Sequence, residues 1–314
     1  MGKIVFLDAA SLGNDMQTEL DRFKSLGEVI FYDATKPEET KERISGVEVI
    51  VTNKVVIDGE MMKENPQLKL IAITATGMNN VDLEAAEKLG IKVKNAVNYS
   101  SESVAQQTFA MLLSLLNHIH EYDSFVKTKK YSKSDSFTWI GQSFYELKDK
   151  TYGIFGMGNI GRRVAEIATA FGAKVIYFST SGKVRDERFE LVSHDDFYKR
   201  ADIISIHAPL NEKTFNAISM NEFEMMKPNT VLVNVGRGGI VDEHALAYAI
   251  DQNQIAGAGV DVFMSEPTPL DSPLMKVKKK DKLILSPHIA WASKEARVKL
   301  LGITFENVRG VIAD

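Results

Sequence analysis

Cysteine is absent from all 314 residues, which excludes disulfides, iron–sulfur clusters and thiolate zinc sites and fits a reducing compartment. No apolar run approaches the ~18 uninterrupted residues of a membrane span. The N-terminal stretch MGKIVFLDAASLG lacks the apolar core and small-residue cleavage site of a secretory leader. Myristoylation has little support, because position 6 is Phe6 rather than Ser or Thr. Charge of one sign is also lacking: 38 basic residues face 42 acidic ones, for a formal net charge of −4, so composition offers no long-range attraction to nucleic acid or an anionic membrane. No HExxH arrangement is present among the six histidines, and His118 and His120 are two residues apart and so do not share a helix face, which leaves no metal site to propose. Low-complexity tracts are missing as well, and the one local charge run, KVKKKDK (276–282), reads as a solvated turn. Together these absences lead us to expect a cytoplasmic α/β protein with room for two domains.

What is present is alternation. Short apolar runs at 3–9, 27–33, 47–53, 68–74 and 91–97 read as strands separated by helical spacing, such as 14–26 and 81–89, the pattern of stacked βα units. A second series follows at 151–156, 173–179, 201–209, 229–236, 255–263 and 282–287. Between the two, residues 101–120 place Val104, Thr108, Met111, Leu112, Leu115 and Ile119 on one apolar stripe, which predicts a long helix joining two domains. The polar, aromatic-dotted stretch 127–150 reads as connection and cover.

The glycines of GIFGMGNIGRR (153–163) sit between a strand and a helix whose apolar face includes Ile160, Val164, Ile167, Ala168 and Phe171. In a dinucleotide turn Gly156 makes the bend, Gly158 lets the backbone approach a pyrophosphate, and Gly161 lets helix and strand pack closely. The helix start at Asn159 and Ile160 then offers N–H groups to the phosphates. An acid usually follows about twenty residues later, at the end of the next strand, where it binds the ribose hydroxyls. Here that place holds Ser179, and no Asp or Glu occurs from Ile167 through Arg185. Ser179, Thr180 and Ser181 supply hydroxyls. Lys183 and Arg185 are either a solvated loop or contacts to an added phosphate, so NAD is the expected cofactor and NADP an open alternative.

Three late segments carry groups suited to moving a proton and holding a carboxylate: NVGRGGIVDEHAL (234–246), GVDVFMSEPTP (259–269) and LILSPHIAWAS (283–293). With ATGMNNVD (75–82), NYSSESVAQQTFAMLL (98–113) and HAPLNEKTFNAIS (207–219), in this order and spacing, the chain resembles the D-isomer-specific 2-hydroxyacid dehydrogenase family from its first strand to its last helix. The tryptophan form of the last motif resembles the glycerate dehydrogenase or hydroxypyruvate reductase branch.

That resemblance implies two Rossmann-like parallel-sheet domains with a cleft between them: a discontinuous, flavodoxin-like substrate domain of residues 1–99 and 289–314, and a dinucleotide-binding domain of residues 100–288. It implies an NAD(P)-dependent oxidoreductase acting on CH–OH groups, reducing a small 2-oxo acid, hydroxypyruvate or glyoxylate, as a homodimer. A member acting on pyruvate or a larger 2-oxo acid, and a dinucleotide-sensing corepressor, are the alternatives. By the same resemblance Arg237 binds the substrate carboxylate, His288 is the acid–base residue and Glu266 its carboxylate partner. Ala75, Thr76, Gly77 and Met78 receive the substrate, with Trp291 either shaping the pocket or serving as an interface aromatic. Thr108, His207, Ala208, Pro209, Thr214, Val235, Gly236 and Asp261 are implied to line the cofactor. Gly236 replaces the alanine common before the arginine.

Overall fold

A computed structural model describes residues 2–312 of the chain. It separates into two compact units, Met1–Ser100 with Ala292–Asp314, and Ser101–Trp291.

In the first unit β1 (Gly2–Phe6), β2 (Gly27–Phe31), β3 (Val49–Thr52), β4 (Leu70–Ile73) and β5 (Lys92–Asn95) form one sheet in the order β2-β1-β3-β4-β5, with every pairing parallel. The inner strands β1, β3 and β4 are short apolar runs because the middle of a parallel sheet is covered on both faces, whereas the edge strands β2 and β5 are only half-buried and carry Glu28, Lys92 and Lys94. Val5, Ile50, Ile71 and Ile73 pack beneath Ile44, Met62 and Ala86 from the intervening segments. The last helix, Lys294–Ile312, belongs to this unit, 19 residues long. Arg297 donates to the Leu12 carbonyl at 2.9 Å, Lys299 to the Asn98 carbonyl at 2.6 Å, and Asn307 to the Asn95 carbonyl at 3.3 Å.

In the second unit β6 (Thr151–Phe155), β7 (Lys174–Phe178), β8 (Glu190–Leu191), β9 (Ile203–Ile206), β10 (Val231–Asn234), β11 (Gly257–Val260) and β12 (Leu283–Leu285) form a wholly parallel sheet in the order β12-β11-β10-β9-β6-β7-β8. The order reverses at β6, so crossovers go to both faces and leave an open crevice at the carboxyl ends there, the place where such sheets bind ligands. Two apolar clusters cover the faces, one built on Phe155, Phe197, Ile204 and Leu246, the other on Leu112, Ile154, Val164 and Val233.

The long helix is shorter than the stripe predicts. It spans Ser101–Leu116, and a new helix, Ile119–Lys127, starts after His118 takes a left-handed conformation (φ 49°). Ile119 therefore leaves the buried stripe and is 53% exposed, while Val104, Thr108, Met111, Leu112 and Leu115 are buried. The two-residue strand β8 has no counterpart in the sequence reading. No described helix is long and apolar enough to cross a membrane, and no cluster of three or more metal-binding side chains occurs among the described residues.

Candidate active site

The glycine turn connects β6 to the helix Asn159–Ala170. Gly156 has φ +100°, and a Cβ there would lie 2.7 Å from the Ala208 nitrogen. A Cβ on Gly161 would lie 2.3 Å from the Gly156 carbonyl oxygen, whereas one on Gly158 would meet nothing within 4 Å. Each glycine thus answers a separate demand: a bend, a close helix–strand contact, and free space beside the backbone that a pyrophosphate can enter. Gly158 caps the helix, so the N–H groups at Asn159 and Ile160 open its amino end while the Ile160 side chain packs on the core.

Ser179 follows β7 directly, and the Gly156 N–H donates to the Phe178 carbonyl at 3.1 Å, which places the serine beside the turn. His207, Ala208 and Pro209 follow β9, and Val235 and Gly236 follow β10, so these groups line up at the carboxyl ends of neighbouring strands. His207 accepts or donates to Ser205 Oγ at 2.8 Å and is pushed down to about 3 by burial, so it is a neutral ring and supplies no cation to a phosphate. Two of the expected cofactor residues have hydroxyls committed to the protein. Thr214 Oγ1 donates to the Pro209 carbonyl at 2.7 Å and accepts from the Asn211 N–H at 2.8 Å, bracing the 207–214 loop from a buried position. Thr108 Oγ1 donates to the Val104 carbonyl at 2.7 Å within its own helix.

The chemistry-bearing groups sit at the ends of three adjacent strands. Asn234, Val260 and Leu285 are paired across β10, β11 and β12, and Arg237, Asp261 and His288 follow them. Asn234 shapes the first loop from inside: its side chain accepts from the Gly236 N–H at 3.1 Å and donates to the Arg237 carbonyl at 3.1 Å. Gly238 permits the next contact, since a Cβ there would fall 1.8 Å from the Phe263 carbonyl oxygen. Arg237 is half-buried, donates through Nη1 to the Gly236 carbonyl at 2.8 Å, and makes no ion pair among the described residues. A half-buried guanidinium without a counter-ion is a fork ready for a carboxylate.

Asp261 is fully buried, and its carboxylate organises the loop that carries His288. It accepts from the Ser286 hydroxyl through a short hydrogen bond, from the Ile289 N–H at 2.9 Å and from the Ala290 N–H at 2.9 Å. Burial raises its carboxyl above the ordinary range, against the pull of these donors and of His288. Three donors already fill most of what two carboxylate oxygens accept, so Asp261 chiefly holds the loop. The His288 N–H donates to the Asp261 carbonyl at 2.8 Å, fixing the histidine at φ 54°, a left-handed conformation uncommon outside glycine.

His288 Nδ1 meets Glu266 Oε2 at 2.7 Å, with both side chains partly exposed. The other Glu266 oxygen accepts from the Phe263 N–H at 3.0 Å. Glu243 steadies the same segment, accepting from the Met264 N–H at 2.8 Å and the Ser272 hydroxyl at 3.1 Å. A carboxylate at Nδ1 keeps the proton on that nitrogen in the neutral ring and leaves Nε2 for the reacting group.

Trp291 packs on the apolar cluster of the second unit beside Ala290. The 75–78 loop follows β4 in the first unit, tied to the end of β5: the Ala96 N–H donates to the Ala75 carbonyl at 3.1 Å and Asn95 Nδ2 to the Thr76 carbonyl at 2.6 Å. A cavity of about 440 Å³ lined by Leu115, His118, Tyr145, Lys150 and Asn229 lies at the opposite, amino ends of the second sheet's strands and contains none of the chemistry-bearing groups. Asn234, Ser286 and Glu243 are the site residues that sequence reasoning missed. Their only signal was a polar residue at or just beyond a strand end or at a helix start.

Residues 109–290 match the family described as D-isomer specific 2-hydroxyacid dehydrogenase, NAD binding domain. A glycerate dehydrogenase of Methylorubrum extorquens is 36% identical over 312 residues, 99% of this chain and 96% of its own. A glyoxylate reductase of Thermococcus litoralis is 38% identical over 275 residues, 86% of this chain and 81% of its own. Among solved structures, an acyclic imino acid reductase in complex with NADPH and D-Arg has a TM-score of 0.86 at 29% identity, covering 99% of this chain and 97% of that one. The match spans more than half the residues and the glycerate dehydrogenase likeness nearly all of them, so the chain belongs to the D-isomer specific 2-hydroxyacid dehydrogenase family, oxidoreductases of CH–OH groups with a nicotinamide dinucleotide, NAD or NADP.

Proposed function

We propose that this chain reduces a small 2-oxo acid, hydroxypyruvate to D-glycerate or glyoxylate to glycolate. The observation that carries the reading is the Glu266–His288 hydrogen bond of 2.7 Å, with His288 on a loop held by Asp261 and two strands over from Arg237, which makes no ion pair among the described residues. Bound dinucleotide supplies a hydride to the carbonyl carbon. Arg237 holds the substrate carboxylate in its guanidinium fork and draws electron density from the neighbouring carbonyl. His288 Nε2 gives its proton to the carbonyl oxygen, which becomes the product hydroxyl, and Glu266, bonded to Nδ1, fixes the ring's orientation and tautomer. In the reverse direction the same nitrogen removes the proton. On the family resemblance, the amides of 75–78 are assigned to the substrate carboxylate and Trp291 to the substrate end of the pocket.

The relatives' names, glycerate dehydrogenase and glyoxylate reductase, support substrates with a two- or three-carbon skeleton. Initial velocities of the purified protein with hydroxypyruvate, glyoxylate and pyruvate, each with NADH and NADPH, test this. We expect the highest kcat/KM on hydroxypyruvate or glyoxylate. Higher efficiency on pyruvate would move the assignment to another 2-oxo acid, and no turnover of any of them would sink it. The imino acid reductase likeness makes a 2-oxo acid supplied with an amine the next substrate to try in that event.

We also propose a homodimer formed through the second unit. Phe137 is 91% exposed and Ile140 75% exposed, in a segment with Phe144 and Tyr145 also open to solvent, as is Ile119 at the start of its helix. An apolar surface of this kind marks an interaction site. Light scattering is expected to give about twice the chain mass of 34.9 kDa, and the chain mass alone would refute the proposal.

A further inference from the structure

The loop after β7 decides which dinucleotide fits, and its geometry is unlike a ribose-diol site. An NAD-selective site needs a free carboxylate at the end of that strand, to accept from the two ribose hydroxyls and repel a phosphate. Ser179 occupies the position, with its Oγ 2.9 Å from Ser181 Oγ. The first acid downstream, Asp186, is already taken. Arg188 binds it through Nε at 3.0 Å and Nη2 at 2.7 Å, and Arg162 approaches at 3.4 Å. Its side chain is only 9% exposed, and the Arg188 hydrogen bonds hold its carboxyl at about 2. A carboxylate enclosed by two guanidinium groups has little capacity left for a sugar diol.

The cations of the same loop are arranged in the opposite way. The Arg185 backbone is fixed at both ends: its N–H donates to the Tyr177 hydroxyl at 3.0 Å, and its carbonyl accepts from Arg162 Nη2 at 2.8 Å. Gly182 closes a tight turn at φ +63°, its N–H donating to the Ser179 carbonyl at 2.9 Å. Lys183 then follows, its N–H directed at Ser181 Oγ at 3.4 Å. The Lys183 and Arg185 side chains are exposed and make no ion pair among the described residues. Two serine hydroxyls and two cations without ion pairs among the described residues therefore sit on a pinned loop after β7, the strand end at which dinucleotide folds seat the adenosine ribose.

We propose that this site selects NADP(H) over NAD(H), with Ser179, Ser181, Lys183 and Arg185 receiving the 2′-phosphate. The assignment rests on the dinucleotide reading of the glycine turn. A phosphate there gains charge-assisted hydrogen bonds from the exposed Lys183 and Arg185 side chains, while the diol of NAD meets serine hydroxyls in place of a carboxylate.

Dissociation constants of NADPH and NADH, read from nicotinamide fluorescence, test the proposal without reference to turnover. NADPH is expected to bind at least about tenfold tighter than NADH, as charge-assisted contacts warrant, and to weaken more steeply as salt is raised. In the Lys183→Ala/Arg185→Ala double variant the ratio should fall toward one through NADPH alone, and Ser179→Asp should lower NADPH affinity by about tenfold or more. 2′,5′-ADP should displace bound NADPH at lower concentration than 5′-AMP does. NADH binding as tightly as NADPH, or a preference untouched by the double variant, would overturn the assignment. Failure of both dinucleotides to bind would instead overturn the cofactor reading beneath it.

Discussion

Replacing His288 with alanine is expected to lower kcat by about 10²- to 10⁴-fold, the usual contribution of a positioned acid–base group, or about 3–5 kcal/mol of barrier. With Nδ1 tied to Glu266 at 2.7 Å, Nε2 is the one ring nitrogen left to carry the transferred proton. Glu266→Gln should therefore cost a comparable order of magnitude although Glu266 moves no proton itself. The amide presents either an oxygen or an NH₂ to Nδ1, so the preference for a single tautomer is lost and the charged ring has no anion beside it. Dissociation constants for the dinucleotide should change little in both variants, which separates a chemical defect from a binding one. The reading would not survive an alanine variant that keeps more than about a tenth of the wild-type kcat, since general acid catalysis at this position would then be worth less than one decade.

The inner strands of both sheets were legible because a strand buried on both faces must be an apolar run, and the edge strands because they keep Val, Ile or Leu within turn-bounded runs, eleven runs in all. The pattern failed where it had too little length or where one residue broke it. β8 has two residues, too few for any period, and the left-handed His118 ends a helix whose apolar stripe continues to Ile119 without a visible stop. Nothing local in the last helix says which unit it joins. That is decided by Arg297 reaching Leu12 and Lys299 reaching Asn98, contacts across 285 and 201 positions of sequence.

The candidate site divides along the same line. The glycine turn could be read because Gly156 and Gly161 answer steric demands that leave no room for a Cβ, and Gly158 completes their spacing. Asn234, Ser286 and Glu243 could not, because a buried or half-buried polar side chain serving loop backbone or another side chain has no periodicity, and its partners are fixed only once the strands align. Asp261 shows how the two levels combine. The sequence marks an acid beyond a strand, while the structure shows three donors converging on it and so explains how a loop outside the sheet holds His288 in a strained conformation. The proposed acid–base pair is placed by hydrogen bonds to loop backbone rather than by the core.

Arg237 should give the second large effect, and its signature differs from that of His288. Arg237→Ala removes a fork that makes two charge-assisted hydrogen bonds to a carboxylate, at about 1.5–3 kcal/mol each, so kcat/KM for a 2-oxo acid should fall by roughly 10²- to 10⁴-fold. Arg237→Lys keeps the charge but not the planar fork, and should recover only part of that loss. The loop itself should survive either change, because Asn234 grips it through the Gly236 N–H and the Arg237 carbonyl, both of them backbone groups. The decisive comparison is the 2-oxo acid against its neutral methyl ester. If the guanidinium binds the carboxylate, the ester is a poor substrate for the wild type, and truncation to alanine costs it far less than it costs the acid. Equal losses on acid and ester would mean that Arg237 acts through loop structure or on the carbonyl alone, and the carboxylate would then have to be held elsewhere.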